Sequence, residues 1–313
     1  MCDNPLNPDL DTLRALAETT PDEAYPKILG LLSHEDWNIR RAGAELFGVT
    51  GVGGINFLLQ EIDSEKDITE KQNLCYWATT SIFDHGLDDI TNLQFLYSRG
   101  ENHIKKRILD RMRADTGEGD LEFLFGALGE SSWDVREKAS KVFIAKGMEV
   151  VQFLENKFPQ ANPDQRFWTF KIFAILLGSG ATSYFSKFLK QEPQNEQLQV
   201  FAVSNLGEIN DARVLKTLLN FLKADSFLIT EEVIRSLKKQ LEYQKHEILG
   251  VLETCQDPRE LEALLRVLAD SIEPDFLKEL EFLFQHEDHR TRYLAIFYLG
   301  HIPAQETARI LVH

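Results

Sequence analysis

Three His-Glu dipeptides, His34-Glu35, His246-Glu247 and His286-Glu287, are the residues of this 313-residue chain best suited to bind a transition metal. Imidazole and carboxylate are ordinary ligands for zinc or iron, but a site needs several of them converging on one point. The run Gly48–Gly54 (GVTGVGG) has the glycine content of a phosphate-cradling loop. It lacks the Gly-Lys-Ser/Thr ending and a preceding strand, and it reads as a turn. Trp133-Asp134 pairs a stacking surface with an acid, as an enzyme acting on a flipped nucleotide would require. The three cysteines, Cys2, Cys75 and Cys255, are odd in number and show no CxxC spacing, so no zinc site or disulfide framework is expected. No Ser/His/Asp or Cys/His constellation stands out. The expectation is therefore a chain with no catalytic residue, no metal and no cofactor.

Bulk properties narrow the class. Apolar residues make up 43% and charged residues 27%, ordinary values for a folded chain. A formal charge of −16 opposes general affinity for nucleic acid or anionic membrane. The most apolar stretch, Phe167–Leu177, is short and carries Lys171, so no membrane span is expected. The acidic N-terminal residues lack an apolar leader core. With few cysteines, these features point to a reducing, cytoplasmic setting.

The elements that must position any site emerge from an internal repeat. "LLSHEDWNIRRAGAELFG" and "FLFQHEDHRTRYLAIFYLG" share an Asp, an Arg four residues later, and a Gly eight residues after the Arg. With the Arg as position zero, one frame can be laid at Arg40, Lys71, Lys105, Arg136, Phe170, Gln199, Thr230, Leu261 and Arg292, at spacings of 29 to 34 residues. Position −4 then reads Asp36, Asp67, Glu101, Ser132, Arg166, Asn195, Ser226, Asp257 and Asp288, mostly side chains able to cap a helix N-terminus. Position +7 reads Phe47, Ala78, Met112, Phe143, Leu177, Leu206, Leu237, Leu268 and Leu299, all apolar. Positions 0, +3, +4 and +7 are thus expected to form the buried stripe of an amphipathic B-helix. Apolar-periodic segments between them, such as Val52–Ile62, Leu121–Leu128, Val214–Leu222 and Phe276–Phe284, read as A-helices.

The Asp36–Ala44 pattern, D-x-x-[IV]-R-x-x-[AG]-[AS], nearly repeated at Ser132–Ser140, resembles the HEAT family. The period of about 31 residues is similar to that of the short phycobilisome-lyase-type HEAT-like repeats. The resemblance implies an all-α, right-handed solenoid of about nine helix pairs forming one domain over residues 1–313. Residues 1–20 would make an N-terminal capping helix and 303–313 a C-terminal one. It also implies an interaction scaffold or adaptor, with a maturation factor resembling phycobilin lyase subunits as the alternative. HEAT-type deoxyhypusine hydroxylases bind iron through His-Glu pairs that follow the Arg position. Here His34 and His286 precede it, in turns, and His246 falls in an A-helix.

In such solenoids positions +1, +2 and +5 of the B-helices line the concave face. Arg99 to Arg113 carries six Lys/Arg against two acids, net +4. Lys105, Lys106, Arg107, Arg111, Lys138 and Lys141 are expected to form a basic zone, with Tyr76 beside it. Lys171, Ile172, Ile175 and Phe201 would form an adjoining apolar zone. This groove is expected to take another protein through an acidic segment, and neither nucleic acid nor membrane. Tyr293, Leu294 and Phe297 occupy outward positions of the last B-helix, and a final helix over roughly Ala304 to Val312 ends in Ile310-Leu311-Val312. That apolar end is expected to be covered by a partner, by further residues, or by a second copy in a homodimer.

Overall fold

The computed structural model describes residues 10–112, 118–222, 226–269 and 280–299, and all regular structure among them is helical. They fall into two compact units, Met1–Lys146 and Gly147–His313. In the N-terminal unit α1 (Leu10–Thr19) is followed by α2 (Pro21–Leu31), α3 (Trp37–Val49), α4 (Gly51–Ser64), α5 (Ile68–His85), α6 (Ile90–Arg99), α7 (Asn102–Arg111), α8 (Glu118–Ala127) and α9 (Trp133–Lys146). The B-helices α3, α5, α7 and α9 pack in succession as one layer. A second layer holds α2, α4 and α6, and each A-helix packs on the B-helix that follows it.

The C-terminal unit contains α10 (Val151–Lys157), α11 (Pro163–Leu177), α12 (Ala181–Gln191), α13 (Glu196–Leu206), α14 (Ala212–Phe221), α15 (Phe227–Thr254), α16 (Pro258–Ala269), α17 (Glu281–Phe284) and α18 (His289–Leu299). Here α11, α13, α15, α16 and α18 pack in succession. α15 merges a B-helix with the next A-helix across a kink at Gln244, where φ is −128° and ψ 31°. His246 lies beyond that kink. The expected final helix at 304–312 lies outside the described residues, as do residues 1–9 and the first four residues, 276–279, of the Phe276–Phe284 segment.

Capping chemistry starts the B-helices. Asp36 accepts from Asn38 N at 2.8 Å, Asp67 from Glu70 N at 2.9 Å, Asn195 from Leu198 N at 3.0 Å and Ser226 from Ile229 N at 3.2 Å. The recurring Arg has its own task, different from the expected one. Arg40 donates from Nη1 to the carbonyls of His34 (2.6 Å) and Glu35 (3.1 Å), and Arg292 does the same to His286 (2.5 Å) and Glu287 (2.8 Å). Arg136 reaches the Glu130 and Ser131 carbonyls in the same way. These side chains tie each B-helix to the turn before it and are half-buried. The buried stripe begins one residue earlier, at Ile39, Ile104, Val135, Leu198 and Ile229, and continues through +3, +4 and +7.

One register differs from the sequence frame. α11 is capped by Asn162, which accepts from Gln165 N while the Gln165 side chain returns a bond to Asn162 N, a capping box followed by Pro163. The zero position is therefore Arg166, which reaches the Pro159 carbonyl, and not Phe170. The +7 residue is Phe173, fully buried, whereas Leu177 is only half-buried. Ile172, expected to face outward, is fully buried.

Pro163–Gln191 is the one described segment long and apolar enough to cross a membrane by length and composition. The sign is weak, because a 3-10 turn at Gly178–Gly180 breaks the run and Phe170, Phe173, Phe185 and Phe188 pack on each other and on Phe158 as core. In the N-terminal unit, burial in α5 pushes the Cys75 thiol up from 9.0 to about 11. The folded state holds that proton harder than the unfolded chain. The stability gained is complete below about pH 9 and is lost as pH rises toward 11. Native protein at pH 8 should therefore leave Cys75 unmodified by iodoacetamide, and denaturant should expose it; rapid native labelling of that residue would contradict its burial.

Candidate functional site

Residues four apart on a helix differ by only about 40° in direction, so positions −3, +1 and +5 share one stripe. In the N-terminal unit this stripe reads Trp37, Arg41 and Glu45 on α3, then Ile68, Gln72 and Tyr76 on α5. It continues as Asn102, Lys106 and Asp110 on α7, and Trp133, Glu137 and Lys141 on α9. Trp37 (45% exposed), Ile68 (74%) and Trp133 (49%) stand at the same first turn of their helices. Sequence reasoning began the outward stripe at +1 and missed them. Extending it one turn back toward the N-cap would have found these three, and Phe227 at the same place on α15.

The basic residues expected along this face are mostly engaged by acids. Lys105 pairs with Glu130 at 2.9 Å and lies 5.0 Å from the Tyr97 ring, largely covered. Lys106 meets Asp134 at 3.5 Å, Lys138 meets Asp110 at 2.5 Å and Lys141 meets Glu137 at 2.8 Å. Arg111 binds Asp88 at 2.6 Å, and its hydrogen bond holds that carboxyl below the ordinary aspartate range. Arg99 pairs with Asp63. Exposed pairs of this kind add only about 0–1 kcal/mol each to stability, yet they cancel local charge. The net +4 of Arg99–Arg113 is thus largely matched by acids from neighbouring helices and turns, which a sequence window does not show; Arg113 lies outside the described residues.

Two guanidinium groups on this face are held differently. Arg107 lies 4.7 Å from the Tyr76 ring and donates to Thr80 Oγ1 at 3.1 Å and to the Tyr76 carbonyl at 3.5 Å. Arg41 lies 5.5 Å from the Trp37 ring. Trp37 contacts Trp77 at 5.9 Å, and Trp77 meets Tyr76 edge-on at 5.0 Å. Arg41 and Arg107 are therefore the two ends of one aromatic ribbon crossing α3 and α5.

The remaining candidates belong to the C-terminal unit. Lys171 lies 5.0 Å from the Trp168 ring, and Phe201 packs edge-on against Phe167 at 5.2 Å; both are half-buried. Ile175 is exposed. On α18, Tyr293 and Phe297 are exposed and stacked at 6.1 Å, while Leu294 is half-buried. Their helix is tied to its neighbour by Tyr298, which donates to Glu262 at 2.9 Å.

The His-Glu words have a structural use. His34 Nδ1 accepts from Asp36 N at 2.9 Å and His286 Nδ1 from Asp288 N at 3.1 Å, so both rings shape the turn that the following Arg clasps. Among the described residues no three His, Cys, Asp or Glu side chains converge as a metal would need. Two clefts of the N-terminal unit, about 550 and 420 Å³, are lined from the A-helix side by residues including Asn56, Asp63, Asp88 and Asp89.

No protein-family model and no curated protein matches the chain. Among solved structures it is similar to YibA of Escherichia coli, at 15% identity and a TM-score of 0.34 over 87% of this chain and 100% of that one. It is also similar to an engineered protein, at 15% identity and a TM-score of 0.32 over 94% and 96%. Likeness at this level assigns neither family nor function.

Proposed function

We propose that the chain is a HEAT-like, right-handed solenoid of about nine helix pairs, and that it acts as a non-enzymatic intracellular adaptor. It docks a protein partner bearing an acidic segment on the outward face of its B-helices. The two-layer packing of the N-terminal unit and the recurrence of capped B-helices about every 31 residues support the architecture. One observation carries the docking reading. Trp37, Ile68 and Trp133 are large apolar side chains exposed at one equivalent position of three B-helices, beside half-buried Tyr76. A folded chain rarely leaves aromatic residues aligned in water unless a partner covers them.

The test is site-specific photocrosslinking in extract of the native cell. A benzophenone side chain at Glu45, on this face, should capture one discrete protein, and the same group at Gln60 on α4 should not. Trp37→Ala with Trp133→Ala should reduce capture at least tenfold without altering helicity. Equal capture by the double variant, or by the α4 position, would refute the assignment of the face.

A further inference from the structure

The two unpaired guanidinium groups narrow the partner further, in an inference that rests on the docking face proposed above. Each has a carboxylate one turn ahead on its own helix, Glu45 for Arg41 and Asp110 for Arg107, at spacings that ordinarily pair. Neither pair forms. Glu45 is held by Arg14 from α1 at 3.1 Å, and Asp110 by Lys138 from α9 at 2.5 Å. Lys106, Lys138 and Lys141, the other cations at the outward positions of these helices, all have carboxylate partners. Arg41 and Arg107 have none among the described residues and lie instead on Trp37 and Tyr76. Stacking fixes the plane of a guanidinium while leaving its edge free, and the planar fork matches a carboxylate bidentately. Arg107 spends two donors on Thr80 and Tyr76 and has the remainder to offer.

We infer that Arg41 and Arg107 are paired anchors for two carboxylates of one extended acidic peptide, with an apolar side chain between them over the Trp37–Tyr76 ribbon. Geometry sets the spacing. The anchors sit on α3 and α7, with α5 between them, and packed helices lie about 8–10 Å apart, so the span is roughly 16–20 Å. An extended chain advances about 3.3 Å per residue, which places the two acids about five or six positions apart.

The experiment uses the full chain and fluorescein-labelled peptides carrying two Glu at separations of two, six or ten positions, with one Phe midway. Anisotropy should show the six-residue spacing binding at least tenfold tighter than the other two. Arg107→Gln or Arg41→Gln should abolish that preference, and Arg107→Lys should recover less than half of it in log Kd. Lys106→Gln and Lys141→Gln, which disturb cations paired with Asp134 and Glu137, should change Kd less than twofold. Circular dichroism monitors folding of every variant. Spacing-independent binding, or equal losses from the paired lysines, would overturn the inference and mark a diffuse charge effect. Binding confined to phosphoserine versions of the peptides would overturn the carboxylate assignment. If crosslinked capture depends on Trp37 and Trp133 but is indifferent to Arg41→Gln and Arg107→Gln, the anchors fail while the docking face stands; capture that depends on neither the tryptophans nor the arginines sinks both.

Discussion

Phe173→Ala should destabilise the C-terminal unit by about 3–5 kcal/mol, while Leu177→Ala, four residues along the same helix, should cost about 1 kcal/mol or less. Phe173 is fully buried and packs on the Tyr184 ring at 5.1 Å and the Phe188 ring at 6.2 Å, so its truncation would leave a cavity lined by aromatic rings. Leu177 ends α11 half in solvent. Urea denaturation followed by circular dichroism would separate the two. Similar losses at both positions, or a larger one at Leu177, would restore the frame centred on Phe170 and contradict the cap at Asn162.

Gly207→Ala should cost about 3 kcal/mol or more. A Cβ there would lie 2.5 Å from Ser236 Oγ, 2.6 Å from Ser236 Cβ and 3.0 Å from its Cα, so α15 itself must withdraw. Withdrawal strains the bonds that bind the end of α13. Ser236 donates to the Val203 carbonyl at 3.1 Å, and Gln240 donates to the carbonyls of Gly207 at 2.8 Å and Ile209 at 2.9 Å, all buried. Ser236→Gly in the same chain should recover part of the loss, because it removes two of the three obstructing atoms. As a contrast, Gly126→Ala at an exposed position of α8, where nothing lies within 4 Å of the added carbon, should stabilise by about 0.5–1 kcal/mol. A neutral Gly207→Ala would mean that the two helices approach less closely than described.

Most helix starts were legible in the sequence because a cap is a local chemical event. Asp36, Asp67, Asn195, Ser226 and Asp288 each need only their own side chain and the next few amides. The slip at Arg166 has an equally local cause. A shift of four residues turns a helix by only about 40°, so apolar periodicity scarcely distinguishes the two registers, and only the Asn162–Gln165 box does. The +7 residues Phe47, Phe143 and Leu237 were legible because burial follows the stripe. The charge state of the candidate face was not. Asp63, Asp88 and Glu130, which quench Arg99, Arg111 and Lys105, are 36, 23 and 25 residues distant in sequence, and a composition window around the basic run cannot contain them.

Side-chain hydrogen bonds between helices, such as these, the Asn73 donation to the Leu32 carbonyl and the Tyr298 bond to Glu262, span 23 to 41 residues. The tertiary bonds of each unit thus close over roughly one helix pair, whatever the total length of chain. Loop-closure entropy grows with the logarithm of the loop, so each pair meets about the same entropic barrier as the one before it. Contact order consequently stays low as pairs are added, and each unit should assemble by propagation from a local nucleus, with a folding rate set by the first two pairs to meet and not by the number that follow.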